Sequence, residues 1–387
     1  MKELIIFNSN DKKQIALLED EVLVEKYEED ENNKSIEGNI YIGKVQNVIT
    51  GLQSAFVNIG EKRNAFIHIK DILPKVDITK NLPIQDESIN NLVKPGDPII
   101  VEVKKEAIDK KGPRLSTHIS LSSRFIVFMP NSDFVTVSQK IEKEDEKERL
   151  KRIVIKYLPP NSGAIIRTSA ENHSEEDIKK DINKAIEKWK YIKSKKVDKI
   201  PQKIYDKGGV LKKTLVDLVD NNLDKIVLQD ENDYAIIKNI IDEIEANTLI
   251  EIDKNILDKY SLKKQIESLN SNKVWLKSGA FITIDKTEAL VAIDVNSGKY
   301  IGKKDVEETI TAVNLEAAKE ISKQIRLRDI SGIIIIDFID MQKDENKQAV
   351  INEIKKWSKS DRSRVQVEEF TKLNLMEITR KHINSKK

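Results

Sequence analysis

The sequence predicts a multi-domain α/β protein with a small OB-type barrel near its start, and three observations carry that reading. At roughly 150 residues per domain, the 387 residues make two or three domains, enough to bury real cores. From residue 38 to about 121 the texture is of short alternating strands punctuated by Gly and Pro, the pattern of a small barrel. In the last third a strand, a long helix and a buried strand follow one another, a crossover unit whose two strands are parallel.

Taken in order, the first thirty-odd residues read as strands, starting with Leu4-Ile5-Ile6-Phe7 and ending in an acidic turn from Glu28 to Asn33. Five short strands follow at 40–49, 54–59, 64–69, 99–103 and 115–121. The intervening segment 73–97, with Pro74, Pro83 and Pro95, is long for such a barrel and reads as mobile. Strands and helices mix between 122 and 201. There Ile165-Ile166-Arg167-Thr168 reads as a buried strand with a polar end, and Ser174-Glu175-Glu176-Asp177 as a capping-box helix start. Ile178, Ile182, Ala185, Ile186, Trp189 and Ile192 continue that helix at helical spacing. A helix–strand–helix unit spans 211–246 around Ile226-Val227-Leu228. Strands at 281–284 and 289–295, a helix over 305–328 and an apolar strand at 333–336 complete the pattern.

Composition removes several classes of chemistry. Charged residues are 34% and hydrophobic ones 39%, with aromatics only 5%, a polar balance that is still globular because apolar periodicity persists. Lys and Arg number 67 against 65 Asp and Glu, so a polyanion-binding surface requires local segregation of charge. Cysteine is absent, which excludes disulfides, a thiolate nucleophile and Cys-ligated zinc. The four histidines, His68, His118, His173 and His382, show no ligand spacing and no acid/base pair. No stretch approaches the roughly 18 apolar residues of a membrane span, and the expected location is the cytoplasm.

Two segments, Ala292-Ile293-Asp294-Val295-Asn296-Ser297-Gly298 and Ile333-Ile334-Ile335-Ile336-Asp337-Phe338-Ile339-Asp340, each end an apolar strand on an aspartate. Ligands bind at the carboxyl ends of strands in open α/β sheets, and one crossover helix brings Asp294 and Asp337 together. Two such carboxylates repel unless a proton or cation lies between them. Without Cys or suitable His the natural cation is Mg²⁺, which takes oxygen ligands and activates water. Asn296, two residues beyond Asp294, points the same way and is placed to orient a water or a phosphate oxygen. The competing reading, that these aspartates are caps or turn residues, stays open; Asp340 is the weaker candidate.

In the barrel, Ala55, Val57 and Ile59 share one face of their strand and leave Phe56 on the polar side. Ala65, Ile67 and Ile69 do the same for Phe66. Exposed aromatics on an OB-type sheet stack bases; alternatively a neighbouring domain covers both rings. Lys104-Lys105, Lys110-Lys111 and Arg114 border this barrel and form a weak basic signal. Arg167 with Thr168 would suit a terminal phosphate, although these two residues alone fit a surface ion pair as well.

At these motifs the sequence resembles the ribonuclease E/G family. The resemblance runs over nearly the whole chain. It is strongest in Thr287-Glu288-Ala289-Leu290 through Asp294-Val295-Asn296-Ser297-Gly298, and continues in Asn314-Leu315-Glu316-Ala317-Ala318, Gln324-Ile325-Arg326-Leu327-Arg328-Asp329 and Ile336-Asp337-Phe338-Ile339-Asp340-Met341. It implies that Asp294 and Asp337 hold the metal and that Asn296 joins them in catalysis. It also implies an S1-type barrel contacting RNA through Phe56, Phe66 and Lys111, and a 5′-monophosphate pocket at Arg167 and Thr168. The implied organisation is an RNase-H-like subdomain in two parts, 1–37 and 211–270. Between the parts lie the S1-type domain at 38–121 and a 5′-phosphate sensor region at 122–210, and a DNase-I-like catalytic subdomain follows at 271–387.

Two features depart from the family pattern. The Cys-x-x-Cys pair that shares a zinc between protomers is missing, so no zinc is expected and the zinc-linked dimer is in doubt, which leaves a homo-oligomer of another kind open. A family arginine near the 5′-phosphate pocket is replaced by Gln139, followed by Lys140. The short ribonuclease G type is the nearer likeness. The expected function is Mg²⁺-dependent endonucleolytic cleavage of single-stranded RNA, leaving 5′-phosphate and 3′-hydroxyl ends, in rRNA and tRNA precursor processing and mRNA decay. The rivals are a non-catalytic S1-type RNA-binding factor and a phosphohydrolase of small nucleotides.

Overall fold

The computed structural model describes residues 1–30, 35–72, 88–107, 111–219, 223–244, 246–298 and 306–381. Residues 31–33 of the expected acidic turn, most of the segment 73–97, Lys110, the helix start at Asp305 and His382 lie outside them. The chain forms two compact units. One contains residues 1–28, 222–234 and 248–386, and the other contains residues 29–221 and 235–247.

In the first unit, strands Lys2–Ser9, Lys12–Glu19 and Val22–Asp30 form an antiparallel meander. Its two tight turns carry positive φ at both central residues, Asn10-Asp11 and Asp20-Glu21. That backbone matches the right-handed twist of a hairpin, and the short Asn and Asp side chains at Asn10, Asp11 and Asp20 tolerate it. Lys2–Ser9 also pairs in parallel with Lys225–Leu228, which pairs in parallel with Leu249–Ile252. The resulting strand order, a meander flanked by two parallel strands, is that of an RNase-H-like sheet. Glu28, Glu29 and Asp30 belong to the third strand rather than to a turn, and Glu29 is buried. Its carboxylate accepts the Leu211 N–H at 3.2 Å, a partner 182 residues away that local sequence cannot reveal.

The same unit holds a six-stranded sheet in the order Lys273–Trp275, Phe281–Lys286, Leu290–Asn296, Gly332–Asp337, Leu375–Arg380, Val365–Phe370. Only the central pair, Leu290–Asn296 with Gly332–Asp337, is parallel. The crossover helix Val306–Leu327 joins these two strands. Ile282, Ile284, Val291, Ile293, Val295, Ile334, Ile336 and Ile378 pack with Val313, Ala317 and Ile321 of that helix and with Val350 and Ile354 of helix Asp344–Ser358. Burial alternates strictly along Leu290–Asn296, so the opposite face of the sheet, carrying Ala292 and Asp294, stands open.

In the second unit, strands Ile40–Ile49, Ser54–Asn58, Ala65–His68, Arg114–Ser116 and Pro98–Lys105 close into a barrel, because Ile40–Ile49 pairs with both Ser54–Asn58 and Pro98–Lys105. Tyr41, Val45, Ala55, Val57, Ala65, Ile67, Val101 and Leu115 fill it. The fifth predicted strand is shorter than expected: Leu121 belongs to Leu121–Ser122 in a separate four-stranded sheet. That sheet, with helices Glu144–Tyr157 and Glu175–Ser194, shares a core built around Phe128, Ile166, Leu150 and Ile182. Ser174 caps its helix as read, accepting the Asp177 N–H at 3.2 Å.

Candidate functional site

The parallel register sets Asp294 opposite Asp337 at the carboxyl ends of the two central strands. Both side chains are on the open face and exposed. Burial by its surroundings, then the charges of Asp294 and Asp340, raise the Asp337 carboxyl above the ordinary aspartate range. Among the described residues no salt bridge to either aspartate is formed. Asn296, two residues on, donates its Nδ2 amide to Asp294 Oδ2. Asp340 is exposed and accepts the Asn374 side-chain amide at 3.3 Å.

The sequence reading missed what holds this constellation in place. Asn314, completely buried on the crossover helix, donates Nδ2 to the Ile339 carbonyl at 2.7 Å and accepts the Ile339 N–H at 3.1 Å. This clamps the backbone between Asp337 and Asp340. A readable signal existed, because Asn314 falls in the helix's apolar stripe with Val313, Ala317 and Ala318, where an amide needs a buried partner. Glu307 accepts the N–H groups of Gln342 and Lys343 at 3.1 and 3.2 Å and fixes the start of the next helix. Gly298 has φ +61°, and a Cβ there would lie 2.6 Å from the Gly279 carbonyl oxygen, so only glycine lets these two loops approach.

The residues test well against a hard divalent cation. Asp294 and Asp337 offer oxygen donors from two adjacent strands. Among the described residues no group of three or more His, Asp or Glu converges on a metal position.

On the barrel, Phe56 and Phe66 are cross-strand partners with ring centroids 6.0 Å apart, edge to face. Both are partly exposed while Ala55, Val57, Ala65 and Ile67 point inward, so the alternation reads as expected. Lys111 is exposed. The adjoining Gly112 is pressed against the strand that carries Phe66: a Cβ on it would sit 2.0 Å from the Asn64 carbonyl oxygen. The weaker basic candidates are engaged within the barrel, Arg114 with Asp71 at 2.8 Å and Lys104 with Glu102 at 2.7 Å.

Arg167 lies at the end of strand Gly163–Ile166 and Thr168 directly follows it. The guanidinium is divided between the Ser123 carbonyl and Asp217 Oδ1, each at 2.8 Å. The Thr168 hydroxyl is 3.0 Å from that of Ser138, while Gln139 and Lys140 are exposed beside it. The pair is thus brought together, with Arg167 also carrying the ion pair that the bare sequence allowed. Nothing local in the sequence points to Asp217, 50 residues on.

Comparison with known proteins fits this geometry. A family model described as the Ribonuclease E/G family matches residues 120–383, and one described as the S1 RNA binding domain matches 34–118. Ribonuclease G of Haemophilus influenzae is 38% identical over 389 residues, covering 98% of this chain and 79% of the relative. Ribonuclease G of Escherichia coli K12 is 35% identical over 390 residues with the same coverage. Ribonuclease E of Nostoc sp. is 32% identical over 386 residues, 95% of this chain and 56% of that protein. With the family match spanning most of its length and the parallel carboxylate strands in place, this chain belongs to the ribonuclease E/G family.

Proposed function

We propose that this endoribonuclease cuts single-stranded RNA at the Asp294–Asp337 pair, using Mg²⁺ and water and leaving 5′-phosphate and 3′-hydroxyl ends. The observation that carries the reading is the register that sets the two aspartates abreast with Asn296 bonded to one of them. Asp294 and Asp337 would hold the ion. When bound, it supplies Lewis acidity that makes water nucleophilic near neutral pH and neutralises charge on the phosphate. Asn296 fixes the rotamer of Asp294 and presents its amide to the reacting phosphate. In-line attack by water forms the new P–O bond, the P–O3′ bond breaks, and the departing oxygen takes up a proton. No histidine pair or 2′-hydroxyl attack is required, which accords with the histidine distribution.

Phe56, Phe66 and Lys111 hold the single strand by base stacking and charge, and Arg167 with Thr168 engages a 5′-monophosphate. Cytoplasmic RNA processing and decay follow as the setting; among the described residues no helix is long and apolar enough to cross a membrane. The test is cleavage of a short single-stranded RNA bearing a 5′-monophosphate or a 5′-hydroxyl, with Mg²⁺ or EDTA. Asp294→Asn should lower the rate by about 10²- to 10³-fold, the equivalent of several kcal/mol of lost charge stabilisation. Wild type that binds the RNA tightly in Mg²⁺ without cutting it would sink the nuclease reading and leave an RNA-binding protein.

A further inference from the structure

The open face of the six-stranded sheet carries more than the carboxylates. Along the register, Trp275 pairs with Phe281 and Phe281 with Asn296. One row back, Lys273 pairs with Thr283, Thr283 with Asp294, and Asp294 with Asp337. Paired residues project from the same side of a sheet. Lys273, Trp275 and Phe281 therefore share the face of Asp294 and Asn296, opposite the helix-covered side where Ile282 and Ile284 are buried.

The two rings meet at a centroid separation of 5.2 Å, and Lys273 Nζ lies 4.0 Å from the Trp275 centroid and 3.5 Å from that of Phe281. Trp275 is 64% exposed. The other two tryptophans have structural employment: Trp189 packs against a core, and Trp357 donates its indole N–H to Glu353. A strand spacing of about 4.8 Å places Phe281 about 5 Å and Trp275 about 10 Å from the strand of Asn296.

We infer that Trp275 and Phe281 form a stacking platform for a nucleobase one or two nucleotides from the scissile phosphate, with Lys273 meeting the adjoining backbone phosphate. The inference rests on the proposed Asp294–Asp337 cleavage site, since the register is what aims an RNA strand across these rings. Its occupant is a base rather than a protein side chain because the face is continuous with that site. The Lys273 ammonium over both rings also complements a polyanion rather than an apolar surface. Stacking is sequence-tolerant, so the platform positions the strand and weights site choice by stacking strength.

Two measurements test it. The first uses a single-cut RNA in which each nucleotide flanking the cleaved bond is replaced in turn by an abasic one, cleaved by wild type, Trp275→Ala and Trp275→Phe. At one flanking position the abasic change should slow wild type roughly 5- to 100-fold in kcat/KM. Trp275→Ala should be equally slow on intact RNA but indifferent to that abasic change, and Trp275→Phe should recover most of the rate. Additive effects at every position would overturn the platform, because a merely structural role of Trp275 gives additivity. The second is photocrosslinking of 5-iodouridine RNA to Asp294→Asn protein. Adducts at Trp275 or Phe281 support stacking, and adducts confined to the barrel overturn it. Adducts at Trp275 in a protein whose wild type never cuts would keep the contact and fail the nuclease reading.

Discussion

At the scale of single residues, Asp294 and Asp337 are set against each other by one hydrogen-bond register, and this has a thermodynamic signature. Two neighbouring carboxylates repel each other, and the Asp294 charge adds to burial in raising the Asp337 carboxyl. Asp294→Asn should therefore melt no lower than wild type in EDTA, and slightly higher, while losing cleavage; a clearly lower melting temperature would mean that Asp294 has a structural role instead. These aspartates were legible because each ends an apolar run, and Asn296 because of its two-residue spacing. Asp217 was not, since only the fold brings it to Arg167. If Arg167 serves a 5′-phosphate, Asp217 competes for it. Asp217→Asn should then raise the ratio of cleavage rates on 5′-monophosphorylated over 5′-hydroxyl RNA several-fold, measured on one oligonucleotide pair. An unchanged ratio would remove Arg167 from the sensing role.

At the scale of elements, strand Val22–Asp30 is tied to the crossover helix by charge. Glu25, almost fully buried, accepts Arg326 Nε at 2.8 Å and Arg362 Nε at 3.1 Å, and takes the Tyr27 hydroxyl as well. Burial alone would push the Glu25 carboxyl up, but the Arg362 and Arg326 charges outweigh it and hold it below its ordinary 4.5. A depressed carboxylate stabilises the fold fully above its unfolded value, and that contribution disappears as the pH falls through the lower folded value. Urea unfolding of wild type should thus weaken progressively below about pH 5. Arg326→Met should lose about 1–3 kcal/mol at pH 7, because the buried Glu25 keeps Arg362 but loses one charged hydrogen-bond partner, and the acid dependence should shrink with it. An identical pH profile in the variant would show that Glu25 does not depend on Arg326. Periodicity announced the helix itself, whereas its ends and its cross-element partners follow from packing that no local window contains.

At the scale of the molecule, alternation and glycine punctuation sufficed to read the barrel. The strand–helix–strand order likewise revealed the parallel pair. The RNase-H-like sheet was beyond residue patterning, because Lys2–Ser9 and its parallel partner Lys225–Leu228 are separated by residues 29–221 of the second unit, and it entered only through family likeness. The barrel's aromatic pair separates the function readings. Phe56→Ala should reduce cleavage of single-stranded RNA roughly 5- to 100-fold through KM and leave hydrolysis of a small phosphodiester nearly unchanged. Equal loss on both substrates would argue that the substitution damages the fold, and no loss on RNA would remove the barrel from substrate binding.

The pairing of Glu3 with Lys225 also has a consequence on the ribosome. At about 5–20 residues per second, strand Lys225–Leu228 emerges roughly 10–45 s after the hairpins it must join. Throughout that interval the edge formed by Leu4, Ile5, Ile6 and Phe7 has no strand to cover it, while the barrel, whose contacts are nearer in sequence, can already close. A nascent chain stalled before Leu228 would expose a sticky edge beside a finished barrel. The tempo of translation across residues 29–221 is therefore a point at which the yield of this protein can be set.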